Sequence, residues 1–302
     1  AGQRCSALRM LYVQRDIADA FERMLCGAMQ ALLVGPPEAA DCDVGPVIDA
    51  ATQARISAHI ARHKLVFQTS APENGYFVAP TILSVSGMSD LHAEIFGPVL
   101  HLVRYDAGDL DHVIEDINAS GYGLTFGFHS RIDDRVQKVV SRVNVGNLYI
   151  NRNQIGAVVG SQPFGGHGLS GTGPKAGGPR YLPRFAAQRC MTAEGPLPPQ
   201  MSLAEIEQAF ASQPPQQGHS TEDLPGPTGE SNRYLLRPRS RILCMGPGAE
   251  TRAKSARDMG CRAIAAEIAI ADVTKIPDLQ AVIYAGPQAQ PLRQALSARR
   301  GA

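Results

Sequence analysis

The sequence has 302 residues, 29 Lys+Arg against 28 Asp+Glu, and 44% hydrophobic residues with no Trp. That length suffices for one large domain or two smaller ones with a sizeable core; a charged fraction of 19% and a formal net charge of +1 exclude a disordered polyelectrolyte. No apolar run approaches the roughly 20 residues that a membrane-spanning helix needs. In chain order, residues 7–14 read as a strand, and Ile17, Phe21, Met24, Leu25, Met29 and Leu32 fall at helical spacing before Gly35-Pro36-Pro37. A second helix fits 49–64, with strands at 77–83, 98–105, 124–129 and 145–150 and helices near 108–118 and 131–141. Strands alternate with helices over short connections, which argues for an α/β domain.

Composition changes after residue 150. Nine glycines between 151 and 178 mark a long shaped loop rather than a regular element. Loops of this length in compact domains are usually functional or disordered, and the apolar Ile155, Val158 and Val159 favour function. Residues 192–232 hold seven Pro and four Gly and read as linker, interrupted by one short helix from Ser202 to Phe210, where Ser202 and Glu205 form a capping box. A new α/β rhythm begins near 240: strand 241–245, helix 249–258, strand near 263–270, strand 281–285 and helix 288–299. The expected boundaries are therefore 1–188, a linker 189–235, and a partial α/β domain 236–302.

Residues 233–302 carry 12 Lys+Arg against 5 Asp+Glu. The basic residues are scattered and little interleaved with aromatics, so a solvated basic face is expected rather than a nucleic-acid surface. Gly246-Pro247-Gly248 follows a strand and precedes a helix, but Thr251 stands where a dinucleotide fingerprint needs a third Gly, so a structural turn is expected. The six cysteines, at 5, 26, 42, 190, 244 and 261, show no Cys-x-x-Cys pair. A disulfide framework and a zinc site both lack support; mostly buried thiols in a reducing, cytoplasmic compartment are expected. No basic-then-apolar leader precedes the motifs, and the opening Ala1-Gly2-Gln3-Arg4-Cys5 reads as though cut from a longer chain.

Cys5 has small polar neighbours and Arg4 beside it, a setting that suits an attacking thiolate, although a buried structural Cys is the commoner fate of such a residue. The surrounding motifs shift that balance. In order they are Gly2-Gln3-Arg4-Cys5-Ser6, Gly45-Pro46-Val47-Ile48-Asp49, Phe77-Val78-Ala79-Pro80-Thr81, Glu94-Ile95-Phe96-Gly97-Pro98-Val99, Gly121-Tyr122-Gly123-Leu124-Thr125, Gly146-Asn147-Leu148-Tyr149-Ile150-Asn151 and Pro163-Phe164-Gly165-Gly166. This series resembles the catalytic domain of the NAD(P)-dependent aldehyde dehydrogenase superfamily over about residues 1–186. Tyr149 through Gly160 and Gly168 through Gly178 resemble, more narrowly, the L-glutamate γ-semialdehyde (Δ1-pyrroline-5-carboxylate) dehydrogenase module of the bifunctional proline utilisation A flavoenzymes. Leu224 through Asn232 and the α/β segment after it resemble the extra C-terminal domain of longer members of that group.

The resemblance implies an open twisted sheet with flanking helices, followed by a partial Rossmann-like accessory domain. It implies Cys5 as nucleophile, with its backbone N–H helping to hold the oxyanion, and Glu94 on the nicotinamide ribose hydroxyls of NAD beside Phe96. It further implies Gly156 and Ala157 as backbone anchors for the substrate carboxylate, Ser6 as their assisting hydroxyl, and Phe164 as a wall for the aliphatic chain. In that family the general-base Glu and the oxyanion-hole Asn precede the nucleophile, as do most of the NAD site and the FAD-bearing proline dehydrogenase module. A fragment with little turnover of its own is therefore expected, forming a homo-oligomer at full length and holding no metal. A non-catalytic assembly module and a dehydrogenase for another acidic aldehyde remain alternatives.

Overall fold

The computed structural model describes residues 2–186, 194–215, 218 and 220–299. They divide into two compact units, one of Ala1–Ala157 with Phe164–Gly173 and the other of Val158–Pro163 with Pro174–Ala302.

The first unit is built on β1 (Met10–Gln14), α1 (Arg15–Gln30), α2 (Ala50–Ile60), β2 (Lys64–Gln68), β3 (Thr81–Ser84) and β4 (Val99–Tyr105). They are followed by α3 (Leu110–Ala119), β5 (Tyr122–Gly123), β6 (Thr125–Phe128), α4 (Asp133–Arg142), β7 (Asn147–Ile150) and β8 (His167–Gly168). The main sheet runs β1-β4-β3-β2; β4 is parallel to both β1 and β3, and β2 closes the far edge antiparallel. β3 and β4 are buried over most of their length, as strands covered on both faces must be, with Thr81 and His101 the polar residues buried in them. Asp49 caps α2 by accepting from the Thr52 amide at 2.7 Å, and Ile56 carries that helix into a cluster with Val47, Val78, Leu83, Ile95 and Val99. Parallel β6 and β7 pack with α3 and α4 around Ile114, Val139 and Val143.

The second unit holds α5 (Leu203–Ser212), β9 (Ser220–Leu224), β10 (Asn232–Leu236), β11 (Ile242–Met245), α6 (Ala249–Asp258), β12 (Ala263–Ala265), α7 (Ile270–Val273), β13 (Ala281–Tyr284) and α8 (Ala289–Ser297). A three-stranded parallel sheet, β12-β11-β13, carries helices as expected of an α/β rhythm. β9 and β10 form a separate antiparallel hairpin.

Three expectations need correction. The Pro-rich run is not merely linker: α5 buries Ile206 and Phe210 completely against Leu243, Ile264, Val273 and Ile276, so the second unit's core begins well before residue 236. Its capping box is formed, with Ser202 and Glu205 bonded reciprocally. The strand expected near 263–270 stops at Ala265, because the Glu267 backbone turns away to pair with Pro199 and Met201, both at 2.9 Å. The thiols are not mostly buried: Cys244 is buried, Cys26, Cys42 and Cys261 are half-buried, and Cys5 is exposed. Cys190 lies outside the described residues. β2, unanticipated, occupies the end of the expected second helix and the residues after it.

Candidate active site

Cys5 sits in the turn that leads into β1, closed by the Ala7 amide donating to the Arg4 carbonyl at 3.0 Å. The turn points Cys5 outward and Ser6 inward, where only 5% of Ser6 remains exposed. Gln3 anchors its start by donating to the Pro46 carbonyl at 3.0 Å. Gly2 takes a positive φ of 71° and lies so close to the 94–97 segment that a Cβ there would meet the Gly97 carbonyl oxygen at 1.7 Å. Only glycine meets both demands.

Residues 94–97 form no regular element, and their burial alternates: Ile95 and Gly97 are buried while Glu94 and Phe96 are exposed. Sequence reasoning missed Arg9, which joins this segment to the Cys5 turn. Its Nε and Nη2 donate to Glu94 Oε1 at 3.2 and 3.0 Å, Nη2 also donates to the Arg4 carbonyl at 3.0 Å, and Nη1 donates to the Gly2 carbonyl. The guanidinium carbon stands 4.9 Å from the centroid of the Phe96 ring. A second omission lies behind it: fully buried His101 reaches the Arg9 carbonyl through Nδ1 at 2.8 Å and His59 through Nε2 at 2.8 Å.

β7 positions the remaining expected residues. Asn147, buried at its start, accepts from the Gly165 amide at 3.1 Å and so fixes the strip that carries Phe164, which is half-buried. Backbone approaches backbone here, since a Cβ on Gly146 would lie 1.9 Å from the Gly165 carbonyl oxygen. Ser170 Oγ accepts from the Gly123 amide at 3.2 Å and closes the strip. Beyond β7, Asn151 has φ 54° and exchanges hydrogen bonds with Ser130, both at 2.9 Å, before the chain enters an exposed loop. In that loop Gly156 has φ 85° and open space where a Cβ would lie, and Ala157 is likewise exposed.

The structure thus gathers Cys5, Ser6, Glu94 and Phe96 at one end of the main sheet, and Gly156, Ala157 and Phe164 on the segment after β7. No hydrogen bond among the described residues joins Ser6 to Gly156 or Ala157. Glu94 presents an exposed carboxylate and Phe96 a partly exposed ring on the same side of this segment, groups whose chemistry is compatible with a ribose diol and an aromatic base. The Gly246–Gly248 turn fits a phosphate poorly. The Gly246 amide donates to Glu267 at 2.5 Å and the Gly248 amide to the Pro196 carbonyl at 3.0 Å, leaving neither for an anion. Among the described residues no group of three or more His, Cys, Asp or Glu could hold a metal ion, and no helix is long and apolar enough to cross a membrane.

Comparison with known proteins gives the chain's relatives. The model of the aldehyde dehydrogenase family matches residues 1–190. The bifunctional protein PutA of Escherichia coli (strain K12) is 44% identical over 284 residues, covering 81% of this chain and 22% of that protein. The 1-pyrroline-5-carboxylate dehydrogenase of Bacillus subtilis (strain 168) is 36% identical over 189 residues, covering 60% of this chain and 36% of that enzyme. A crystal structure of Bradyrhizobium japonicum proline utilization A (PutA) superimposes with a TM-score of 0.60 at 55% identity, over 62% of this chain and 20% of that one. The chain spans about a fifth of the length of the PutA relatives it matches.

Proposed function

The chain belongs to the aldehyde dehydrogenase family, and from that premise we propose that it carries the nucleophile and substrate loop of a dehydrogenase that oxidises L-glutamate γ-semialdehyde to L-glutamate with NAD. The observation that carries this reading is the exposed Cys5 on a turn held beside Glu94 and Phe96. Family members are NAD-dependent in general, and the chain's relatives include proteins named 1-pyrroline-5-carboxylate dehydrogenase.

Cys5 Sγ, as thiolate, attacks the aldehyde carbon; a C–S bond forms and the carbonyl electron pair moves onto oxygen. The Cys5 backbone N–H donates to that oxyanion, where charge develops. The thiohemiacetal then loses its C–H bond with both electrons, leaving a thioester on Cys5. When bound, NAD would supply the acceptor for that hydride; Glu94 would hold its ribose and Phe96 would flank it. Water cleaves the thioester, releasing the product carboxylate and the Cys5 thiol.

Gly156 and Ala157 donate backbone amides to the substrate's α-carboxylate, and Phe164 borders its methylene chain. Exposed backbone amides can bind such an anion without long flexible side chains. The chain by itself is expected to turn over little, because the resemblance puts the deacylating base ahead of the nucleophile. We place the protein in the cytoplasm and its full-length form in a homo-oligomer on the same resemblance.

The test is protection of a thiol. L-Glutamate γ-semialdehyde should slow alkylation of Cys5 by iodoacetamide while Cys26 and Cys42 in the same chain react as before. Equal alkylation of Cys5 with and without the semialdehyde would remove the substrate assignment.

A further inference from the structure

The Cys5 turn and the Glu94–Gly97 segment come from positions some 85 residues apart, yet one side chain holds both. Arg9 is 16% exposed at its side chain against 57% for Glu94, so a mostly buried cation faces a mostly solvated carboxylate. Of its five N–H donors, those on Nε, Nη1 and Nη2 are directed in three ways: to Glu94 Oε1, to the Gly2 carbonyl and to the Arg4 carbonyl. Gly2 and Arg4 bracket Gln3, and Arg4 immediately precedes the nucleophile. The fourth side is Phe96, under the guanidinium at 4.9 Å. Independently, Gly2 and Gly97 touch through their backbones, leaving no room for a Cβ. The contact is sealed by backbone on one side and by the guanidinium fork on the other.

We propose that Arg9 is a positioning residue that locks the nucleophile turn and the Glu94–Phe96 segment into one unit, so that the state of Glu94 is felt at the Cys5 thiol. The proposal rests on the reading of Cys5 and Glu94 as reacting and binding groups, but it needs neither substrate nor cofactor to be tested. The rigid planar fork is what the position requires, since it satisfies two carbonyls and a carboxylate at once. When Glu94 loses its charge, Arg9 loses its one counter-ion and its hold on the Gly2 and Arg4 carbonyls weakens. An uncharged residue at position 9 makes no such link, and the Cys5 turn then has nothing to sense.

The test is a double-mutant cycle read at the thiol of the 302-residue chain. The rate of Cys5 alkylation by iodoacetamide is measured peptide by peptide, with Cys26 in the same molecules as reference, for the parent, Glu94→Gln, Arg9→Gln and the double variant. Glu94→Gln is expected to change the Cys5/Cys26 rate ratio by more than about twofold, and to change it no further once Arg9→Gln is present, as coupled neighbours require. Ethylguanidinium added to Arg9→Gly should return the ratio towards the parent value, a rescue that a purely structural loss would not show. General unfolding would accelerate both cysteines and leave a recognisable signature, and conservative Glu94→Gln carries the test if the Arg9 variants unfold. An unchanged ratio in Glu94→Gln, or a double variant whose effect is the product of the two singles, would overturn the proposal. Either result leaves the semialdehyde protection of Cys5 as a separate question.

Discussion

His59 and His101 share a hydrogen bond between their Nε2 atoms at 2.8 Å, and the ring that accepts it must be neutral. The His101 Nδ1 proton is committed to the Arg9 carbonyl at 2.8 Å, so with burial keeping His101 neutral its Nε2 accepts and His59 donates. Burial, followed by the proximity of His101, His63 and Arg62, pushes His59 down to about 4, and burial likewise lowers His101. Both bases therefore bind protons less readily folded than unfolded, where imidazole titrates near about 6.5. Stability is greatest above that value and falls as the pH drops towards 4. The melting temperature of the chain should decline between pH 7 and pH 5, and His59→Gln should flatten that decline by at least about 3 °C. A pH dependence identical in the variant would remove the histidine pair as its source.

Phe210 should behave as core of the second unit rather than as part of a linker. It is completely buried, and Phe210→Ala leaves a cavity among Leu243, Ile264 and Ile276. The expected cost is about 3–5 kcal/mol, against about 1 kcal/mol for Ser202→Ala, which removes only the cap. Hydrogen exchange should report loss of protection in β11 and β12, with β3 and β4 unchanged. A Phe210→Ala chain whose β11 amides stay fully protected would return the segment to linker status.

Much of the architecture was legible because it rests on local periodicity. Ile17, Phe21 and Leu25 announce α1, and the dense apolar run of β4 announces a buried strand. β2 was not, because Lys64-Leu65-Val66-Phe67-Gln68 is short and follows a helix with no breaker between them. α5 was legible as a helix but not as core, since the prolines around it dominate the composition while Ile206 and Phe210 find partners more than thirty positions away. The candidate site divides the same way. Cys5, Glu94 and Phe164 stand in recognisable motifs. Arg9, His59 and His101 do not, because each acquires its meaning only when β1, α2 and β4 are brought together.

Tyr12 ties β1 to α3 through Asp116, donating to Oδ2 at 2.5 Å, and the same oxygen accepts from the Met88 amide at 2.9 Å. Burial first, and then Asp116, hold the Tyr12 phenol above its ordinary value. Its hydrogen bond therefore contributes below the unfolded phenol value of about 10 and is lost as the pH rises beyond it. Tyr12→Phe should cost about 1 kcal/mol at neutral pH, and Asp116→Ala about 2–3 kcal/mol, since the latter also strands the Met88 amide. Denaturant titration of the two variants checks the order. Equal costs would mean that Asp116 serves Tyr12 alone.

Gly146 and Gly156 separate a steric role from a conformational one on the same segment. A Cβ on Gly146 meets the Gly165 carbonyl at 1.9 Å and the Gly166 Cα at 2.7 Å, and backbone cannot rotate aside as a side chain can. Gly146→Ala should cost about 2 kcal/mol and displace the strip bearing Phe164. Gly156 has open space around it but a φ of 85°, so Gly156→Ala meets no neighbour and costs about 1 kcal/mol in backbone strain. That strain re-aims the amides of the loop proposed to hold the substrate carboxylate. In the Cys5 alkylation assay, Gly156→Ala should raise the semialdehyde concentration needed for protection by about tenfold, the worth of one charge-assisted hydrogen bond, while its melting temperature falls by only about 2–4 °C. Gly146→Ala should lose both stability and protection. Undiminished protection in Gly156→Ala would move the carboxylate anchor away from this loop.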